Sequence, residues 1–168
     1  MNFLLKDKLE STFKGVEVSV LEDTRFAVSV PSESAFSVLS YLRDNGFNHL
    51  ALVSCVDWQE DGELEVVYIL TSYMKSNTDY ISEQKLHLFL KTRISRENPE
   101  LKSVIGIYEN AEPYEREIHE LFGVHFEGHP RLTPLFLERE YEIPPFRKDF
   151  DTRKYVEDTF DSIPSVQD

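Results

Sequence analysis

"VEVSVLEDTRFAVSV", Val16 to Val30, alternates apolar and polar residues on both sides of a short polar break. Val16, Val18 and Val20 share one face before the break, and Phe26, Val28 and Val30 share one after it. A period of two is the spacing of a strand with one buried side, and "EDT" between the runs supplies the turn, so the segment predicts a β-hairpin. Two strands alone are marginal in water, so the rest of the chain must cover the apolar side.

Working outward, Asn2 to Lys14 carries Phe3, Leu4, Leu5, Leu9 and Phe13 at rough helical spacing and stops at Gly15. After the hairpin, "PSESAFSVLSYLRDNG" opens on Pro31-Ser32 and closes on Asn45-Gly46, which are helix start and stop signals. "HLALVSCVDW", from His49, is an apolar strand. "EDGELEVVYILTSY" follows, with Asp61-Gly62 as a strong hairpin signal. "QKLHLFLKTRI" alternates Leu86, Leu88 and Leu90 against His87, Phe89 and Lys91. "NPELKSVIGIYENA" opens on Asn98-Pro99, a combination suited to an N-cap and first helical position, and predicts a further helix. Helix, two strands, helix, three strands and helices give an α+β fold with a largely antiparallel or mixed sheet and helices packed on one face. Trp58, Cys55, His49 and His87 fall inside strand patterns and read as structural.

Beyond Pro130 the pattern changes. The last stretch holds four of the eight prolines and no sustained period, yet it carries Leu135, Phe136, Leu137, Phe146, Phe150, Tyr155 and Phe160. That is too apolar for a free disordered tail. The expected organisation is a core domain over 1–130 and an extended, partner-binding tail over 131–168.

Composition narrows the function. The 31 acidic and 18 basic residues give a formal charge of -13, the wrong sign for general nucleic-acid binding or for an anionic lipid surface. No apolar run nears the roughly 20 residues that cross a bilayer. Charges at Lys6, Asp7, Lys8 and Glu10 interrupt the stretch a signal peptide would need, which places the chain in the cytoplasm. A single cysteine excludes an internal disulfide and a multi-cysteine metal site, so iron–sulfur chemistry would have to reside in another subunit.

"YEREIHELFGVHFEGHP", Tyr114 to Pro130, concentrates four glutamates and three histidines. At 100° per residue, Ile118, Leu121 and Phe122 align with Tyr114, while Glu115 and Glu117 fall on the two flanks of that stripe. Arg116 and Glu120 point away, four apart, a pair worth about 0.2–0.5 kcal/mol. Gly123 suits a helix C-cap. One reading makes this cluster a stand-alone hydrolase or metal enzyme, with Glu115 or Glu117 as general base, or with His119, His125 and His129 as ligands. The H-E-x-x-H pattern is absent, because Gly123 stands where the second histidine belongs. "GHP" at 128–130 reads as a corner. "PPFRKDFD", Pro144 to Asp151, brackets Arg147 with Phe146 and Phe150, a composition suited to an interface hot spot.

"EREIHELFGVHFEGHPRL" together with the later "RKDF" resembles the C-type, 30-kilodalton, subunit of respiratory complex I. "TPLFLERE" and "IPPFRKDFDTRKYV" are closest in style to the equivalent subunits of membrane-bound [NiFe] hydrogenases and related ferredoxin-linked complexes. The resemblance implies a non-catalytic subunit with no cofactor of its own and no activity alone, at the cytoplasmic face of the membrane. Iron–sulfur clusters, and [NiFe] in the hydrogenase type, belong to its partners. Those partners are the large catalytic subunit, the small iron–sulfur subunits and, indirectly, the membrane arm, with no nucleic acid and no direct membrane insertion. The residues that would carry docking are Glu115, Arg116, Glu117, Glu120, Phe126, His129 and Pro130 in the first motif. In the second they are Phe146, Arg147, Lys148, Asp149 and Phe150.

Overall fold

A computed structural model describes residues 2–72, 85–137 and 141–159. The order is α1 (Asn2–Thr12), β1 (Glu17–Glu22), β2 (Arg25–Val30), α2 (Ser32–Asp44), β3 (His49–Trp58), β4 (Glu63–Thr71), β5 (His87–Ser95), β6 (Glu100–Lys102), α3 (Ala111–Phe122), β7 (His125–Glu127) and α4 (Thr152–Thr159). The fold is α+β. β1 to β5 form one mixed sheet in the order β1-β2-β5-β4-β3, antiparallel except for the β2–β5 pair, which is parallel.

The alternation seen in the sequence sets the register. Phe26 stands opposite Leu88, Leu88 opposite Leu70, and Leu70 opposite Leu50. Val28, Leu90, Tyr68 and Val53 make the next row. All eight are buried, together with Leu5 and Leu9 of α1 and Val38, Leu39 and Leu42 of α2. Truncating any one of these leucines to alanine would cost about 2–5 kcal/mol, because close-packed neighbours collapse only partly into the gap. The opposite face of the sheet carries Leu52, Ile69 and Phe89 in one row and an ion-pair ladder in which Arg93 meets Asp61, Glu63 and Glu65.

The edge at β1 is covered by α1, whose Glu10 carboxylate accepts the outward Val18 N–H at 2.9 Å. Gly15 ends the α1 turn at φ +77°, and a Cβ there would meet Pro31 Cγ at 3.0 Å. Val20, expected to share a face with Val16 and Val18, does pair with buried Phe26 in regular register, yet on this edge strand it is exposed.

Two elements differ from the sequence expectation. Asn98-Pro99 does not open a helix. The Pro99 carbonyl accepts His125 N–H, and β6 pairs in parallel with β7, which lies more than twenty residues further on. The helix begins instead at Ala111, with Pro113 in its first turn, where its missing N–H costs nothing. The tail is not extended throughout, since α4 forms at Thr152–Thr159 behind Asp151, whose carboxylate accepts Lys154 N–H at 3.0 Å as an N-cap. Tyr141, Phe150 and Tyr155 stack with ring centroids 4.9–5.8 Å apart and hold α4 against the turn before it.

Candidate functional site

α3 fixes the geometry of the glutamate-rich motif. Its apolar stripe, with Ile118 and Leu121 buried, packs on β3. Tyr114 Oη donates to the Ala51 carbonyl and Asn110 Nδ2 donates to the Leu50 carbonyl. Gly123 ends the helix in the left-handed region at φ +79°, with its N–H on the His119 carbonyl at 2.9 Å.

Glu115, expected on a flank, is fully buried. The connector from β6 wraps over it, so that Ser103 Oγ at 2.6 Å and Val104 N–H at 2.7 Å bind its carboxylate. Burial outweighs these hydrogen bonds and pushes its pKa up to about 7. Phe126 is also interior, so neither of these two expected interface residues presents its side chain to a partner from this chain's surface.

Arg116 and Glu120 do not form the expected pair. Arg116 donates to the carbonyls of Thr133 and Pro134 at 3.0 and 2.9 Å and pairs with Glu112 at 3.3 Å. Glu120 accepts the consecutive backbone N–H groups of Leu135, Phe136 and Leu137. The loop 133–137 is thereby fastened to α3 through its backbone, with the Phe136 ring 68% exposed. Glu117 is half-buried and has no hydrogen bond or ion pair among the described residues.

The second motif folds back onto the same helix end. Phe146 N–H donates to the Leu121 carbonyl at 3.0 Å, and its ring packs edge-on against Phe122 while staying 60% exposed. Arg147 Nε donates to the Phe122 carbonyl at 2.7 Å, favourable for a cation at a helix C-terminus. Lys148 N–H donates to Asp57 Oδ2 at 2.8 Å, while its side chain is exposed. Asp57, buried at the end of β3, also takes a two-pronged bond from Arg96 at 2.8 and 3.2 Å, and Arg96 reaches on to Asp149. Burial acts to raise the Asp57 pKa, but the Arg96 fork and Lys148 N–H hold it below the usual carboxylate range. The Arg96 hydrogen bond does the same for Asp149. Phe150 is half-buried in the aromatic cluster with Tyr141 and Tyr155.

Two of the three histidines are engaged locally. His119 Nδ1 lies 2.8 Å from the Val124 carbonyl, His125 is exposed on β7, and His129 Nδ1 accepts Arg131 N–H at 3.0 Å. Pro130 is exposed beside it, at the corner that Gly128 turns at φ +82°. Among the described residues no three potential ligands converge on a metal position. Neither glutamate expected as a general base meets a histidine among the described residues, since Glu115 is held by Ser103 and Val104 and Glu117 has no polar partner there. What this surface can do is present Phe136, Ile143 and Phe146, all exposed, beside cationic groups.

Three participants escaped the sequence reading. Ser103 carries no local signal for its bond to Glu115. Arg96 and Asp57 become partners only through β-sheet pairing, although an arginine just past a strand end and an aspartate inside an apolar strand were each visible clues.

The site thus lies where the tail is clipped to the last long helix of a mixed-sheet α+β domain. The profile described as "Respiratory-chain NADH dehydrogenase, 30 Kd subunit" matches residues 28–156, and the chain belongs to that family. It is 37% identical over 137 residues to the C-type subunit of F(420)H(2) dehydrogenase from Methanosarcina mazei, covering 80% of this chain and 81% of that one. It is 33% identical over 138 residues to the C-type subunit of NADH-quinone oxidoreductase from Rhizobium rhizogenes, covering 80% of this chain but 64% of that longer protein. Among solved structures, a chain of the membrane-bound sulfane sulfur reductase, an archaeal respiratory membrane complex, superposes with TM-score 0.81 at 30% identity, over 99% of this chain and 94% of that one. The chain is thus a subunit of complex I-like oxidoreductases or of related membrane complexes.

Proposed function

We propose that this chain is a non-catalytic, peripheral subunit of a membrane-attached, ion-translocating redox complex. It docks on the large catalytic subunit through the exposed parts of α3 and of residues 129–150. Cofactors reside in partner subunits: iron–sulfur clusters, and [NiFe] where the complex is of the hydrogenase type. The observation that carries this reading is the use made of the charged motif. Glu115, Arg116, Glu120 and Asp149 are spent on ordering this chain's own connector, loop and turn, while the large apolar side chains Phe136 and Phe146 are left outside. That is the arrangement of a rigid docking surface, whose binding loses little conformational entropy.

No helix among the described residues is long and apolar enough to cross a membrane. In this proposal the chain sits peripherally at the cytoplasmic face, in contact with the small iron–sulfur subunits and only indirectly with the membrane arm.

Affinity purification of the tagged chain from its own cells tests the proposal. The expected result is co-isolation of a membrane fraction with cysteine-rich subunits and redox activity, and no turnover by the chain purified alone. Recovery of the chain by itself from unwashed membranes, or catalytic turnover by the lone chain, would overturn it.

A further inference from the structure

The end of α3 and the tail enclose a cleft of about 290 Å³, with His119, Glu120 and Gly123 on one side and Leu132, Pro134 and Leu137 on the other. That is below the roughly 300–1,000 Å³ of sites for small organic ligands and suits a single protein side chain. His119 is the directional group of the wall. Its Nδ1 lies 2.8 Å from the Val124 carbonyl, which can only accept, so Nδ1 carries the proton. In the neutral ring Nε2 is then a lone-pair acceptor, and it has no hydrogen-bond partner among the described residues.

Charge and polarity then select the occupant. Glu120 is the only ionised group among the described residues of the lining, and both its oxygens are taken by the N–H groups of Leu135, Phe136 and Leu137. An incoming anion meets the Glu120 charge. An incoming cation finds no free carboxylate oxygen, and Arg147 Nη2 already stands 3.3 Å from where a Gly123 Cβ would be. What fits is uncharged and mostly apolar, with one N–H or O–H for Nε2. Tyrosine and tryptophan have that form, an apolar ring for the pocket and a single donor that finds an acceptor when buried. Phe136 and Ile143, both exposed nearby in the chain, add apolar surface for the partner around the same loop. We propose that this cleft receives one tyrosine or tryptophan side chain from another subunit of the complex, hydrogen-bonded to His119 Nε2. This rests on the subunit reading above and names the chemistry of one of its contacts.

The test uses the assembled complex, isolated through a tag on this chain, with partner recovery read by quantitative mass spectrometry. His119→Asn can keep the donation to the Val124 carbonyl, because its amide nitrogen falls near the place of Nδ1, but it puts nothing at the place of Nε2. It should lower recovery of the contacting subunit at least fivefold at moderate salt. His119→Gln reaches the place of Nε2 with an amide oxygen and should restore most of that loss. A purely structural role for the Val124 bond predicts the reverse order. A photo-reactive benzoylphenylalanine at position 134, on the cleft wall, should couple to a partner peptide at or beside a tyrosine or tryptophan. Thermal melting of each free variant separates lost docking from lost folding, and the coupling at position 134 decides the matter if His119→Asn does not fold. Normal recovery with His119→Asn, lower recovery with His119→Gln than with His119→Asn, or coupling only within this chain or to a partner segment without tyrosine or tryptophan, would overturn the aromatic site while leaving the subunit assignment standing. Failure of the unaltered chain to bring down any partner would overturn both.

Discussion

Arg116 and Glu120 stand one turn apart on α3 and bind opposite polarities of one loop, Arg116 the carbonyls of Thr133 and Pro134, Glu120 the N–H groups of Leu135, Phe136 and Leu137. A surface pair of opposite sign would contribute little to stability, whereas the shared set of backbone hydrogen bonds to one partly exposed carboxylate contributes more, about 1.5–3 kcal/mol together. Glu120→Ala should therefore destabilise the chain by about 2 kcal/mol. Hydrogen exchange at residues 135–137 should accelerate far more than in β4. Equal acceleration everywhere would mean that the loop is not held by Glu120.

Glu115 gives the chain a pH dependence of defined sign. Its carboxyl, with a pKa of about 7 in the fold, keeps a proton that the unfolded chain releases near its ordinary value of 4.5. The folded state binds more protons between those values, so this contribution to stability is full below about 4.5 and is lost as pH rises through 7, by about 3 kcal/mol in all. Glu115→Gln can keep both hydrogen bonds, accepting from Val104 N–H and donating to Ser103 Oγ. It should flatten denaturation midpoints between pH 5 and 8 and exceed the unaltered chain in stability at pH 8. A curve that keeps its slope in the variant would rule out Glu115 as the titrating group.

Asp57 works in the opposite sense. Its depressed pKa contributes stability that is present above the ordinary carboxylate range and is lost as pH falls through the folded value. Asp57→Asn removes a buried charge from Arg96 and should cost about 3 kcal/mol at pH 7 by denaturant unfolding. The difference from the unaltered chain should shrink under strongly acidic conditions. A loss that stays constant down to acid pH would point to packing rather than charge.

Much of this was legible in the strand and helix patterns. The Val16–Val30 alternation yields β1 and β2 because one side faces the core and the other faces solvent, and Gly123 marks the end of α3 because few other residues adopt its φ. Glu115 was misplaced for a physical reason. Helical angle alone puts it beside the Tyr114 stripe, but whether a flank position is wet depends on what lies over it, and here the Ser103–Val104 connector does. The same holds for β6, three residues whose partner strand comes after α3, so no local pattern separates it from a helix start. Arg147 and Phe146 were visible as interface candidates by composition, whereas the enclosure of Phe126 depends on the β6–β7 pairing.

Gly123 joins the two motifs in space. A Cβ at this position would meet Pro144 Cγ at 2.9 Å and Arg147 Nη2 at 3.3 Å, on top of the strain of φ +79°. Gly123→Ala should destabilise by about 2 kcal/mol and lift the 144–150 turn. Trypsin should then cleave after Arg147 or Lys148 at low doses that leave the unaltered chain intact. Unchanged cleavage would show that the turn is held independently of this close approach.

Cys55 lies in the core with its thiol pushed up to about 12, first by burial and then by Asp57. Its reaction with a thiol reagent at pH 8 should follow global unfolding, appearing in denaturant and staying negligible in buffer. Rapid labelling in buffer would indicate local opening at β3.

The parallel β2–β5 pair has a consequence for synthesis. A ribosome delivers the β1–β2 hairpin early, but the strand against which Phe26 and Val28 are zipped begins at His87, after α2, β3 and β4 have all been made. The amino-terminal third therefore emerges with the hydrogen-bonding edge of β2 unpaired and waits for a distant closing strand, the kind of long-range pairing that slows folding. Nascent chains arrested before residue 87 should recruit trigger-type holding chaperones, and arrest beyond residue 95, once β5 has cleared the exit tunnel, should release them.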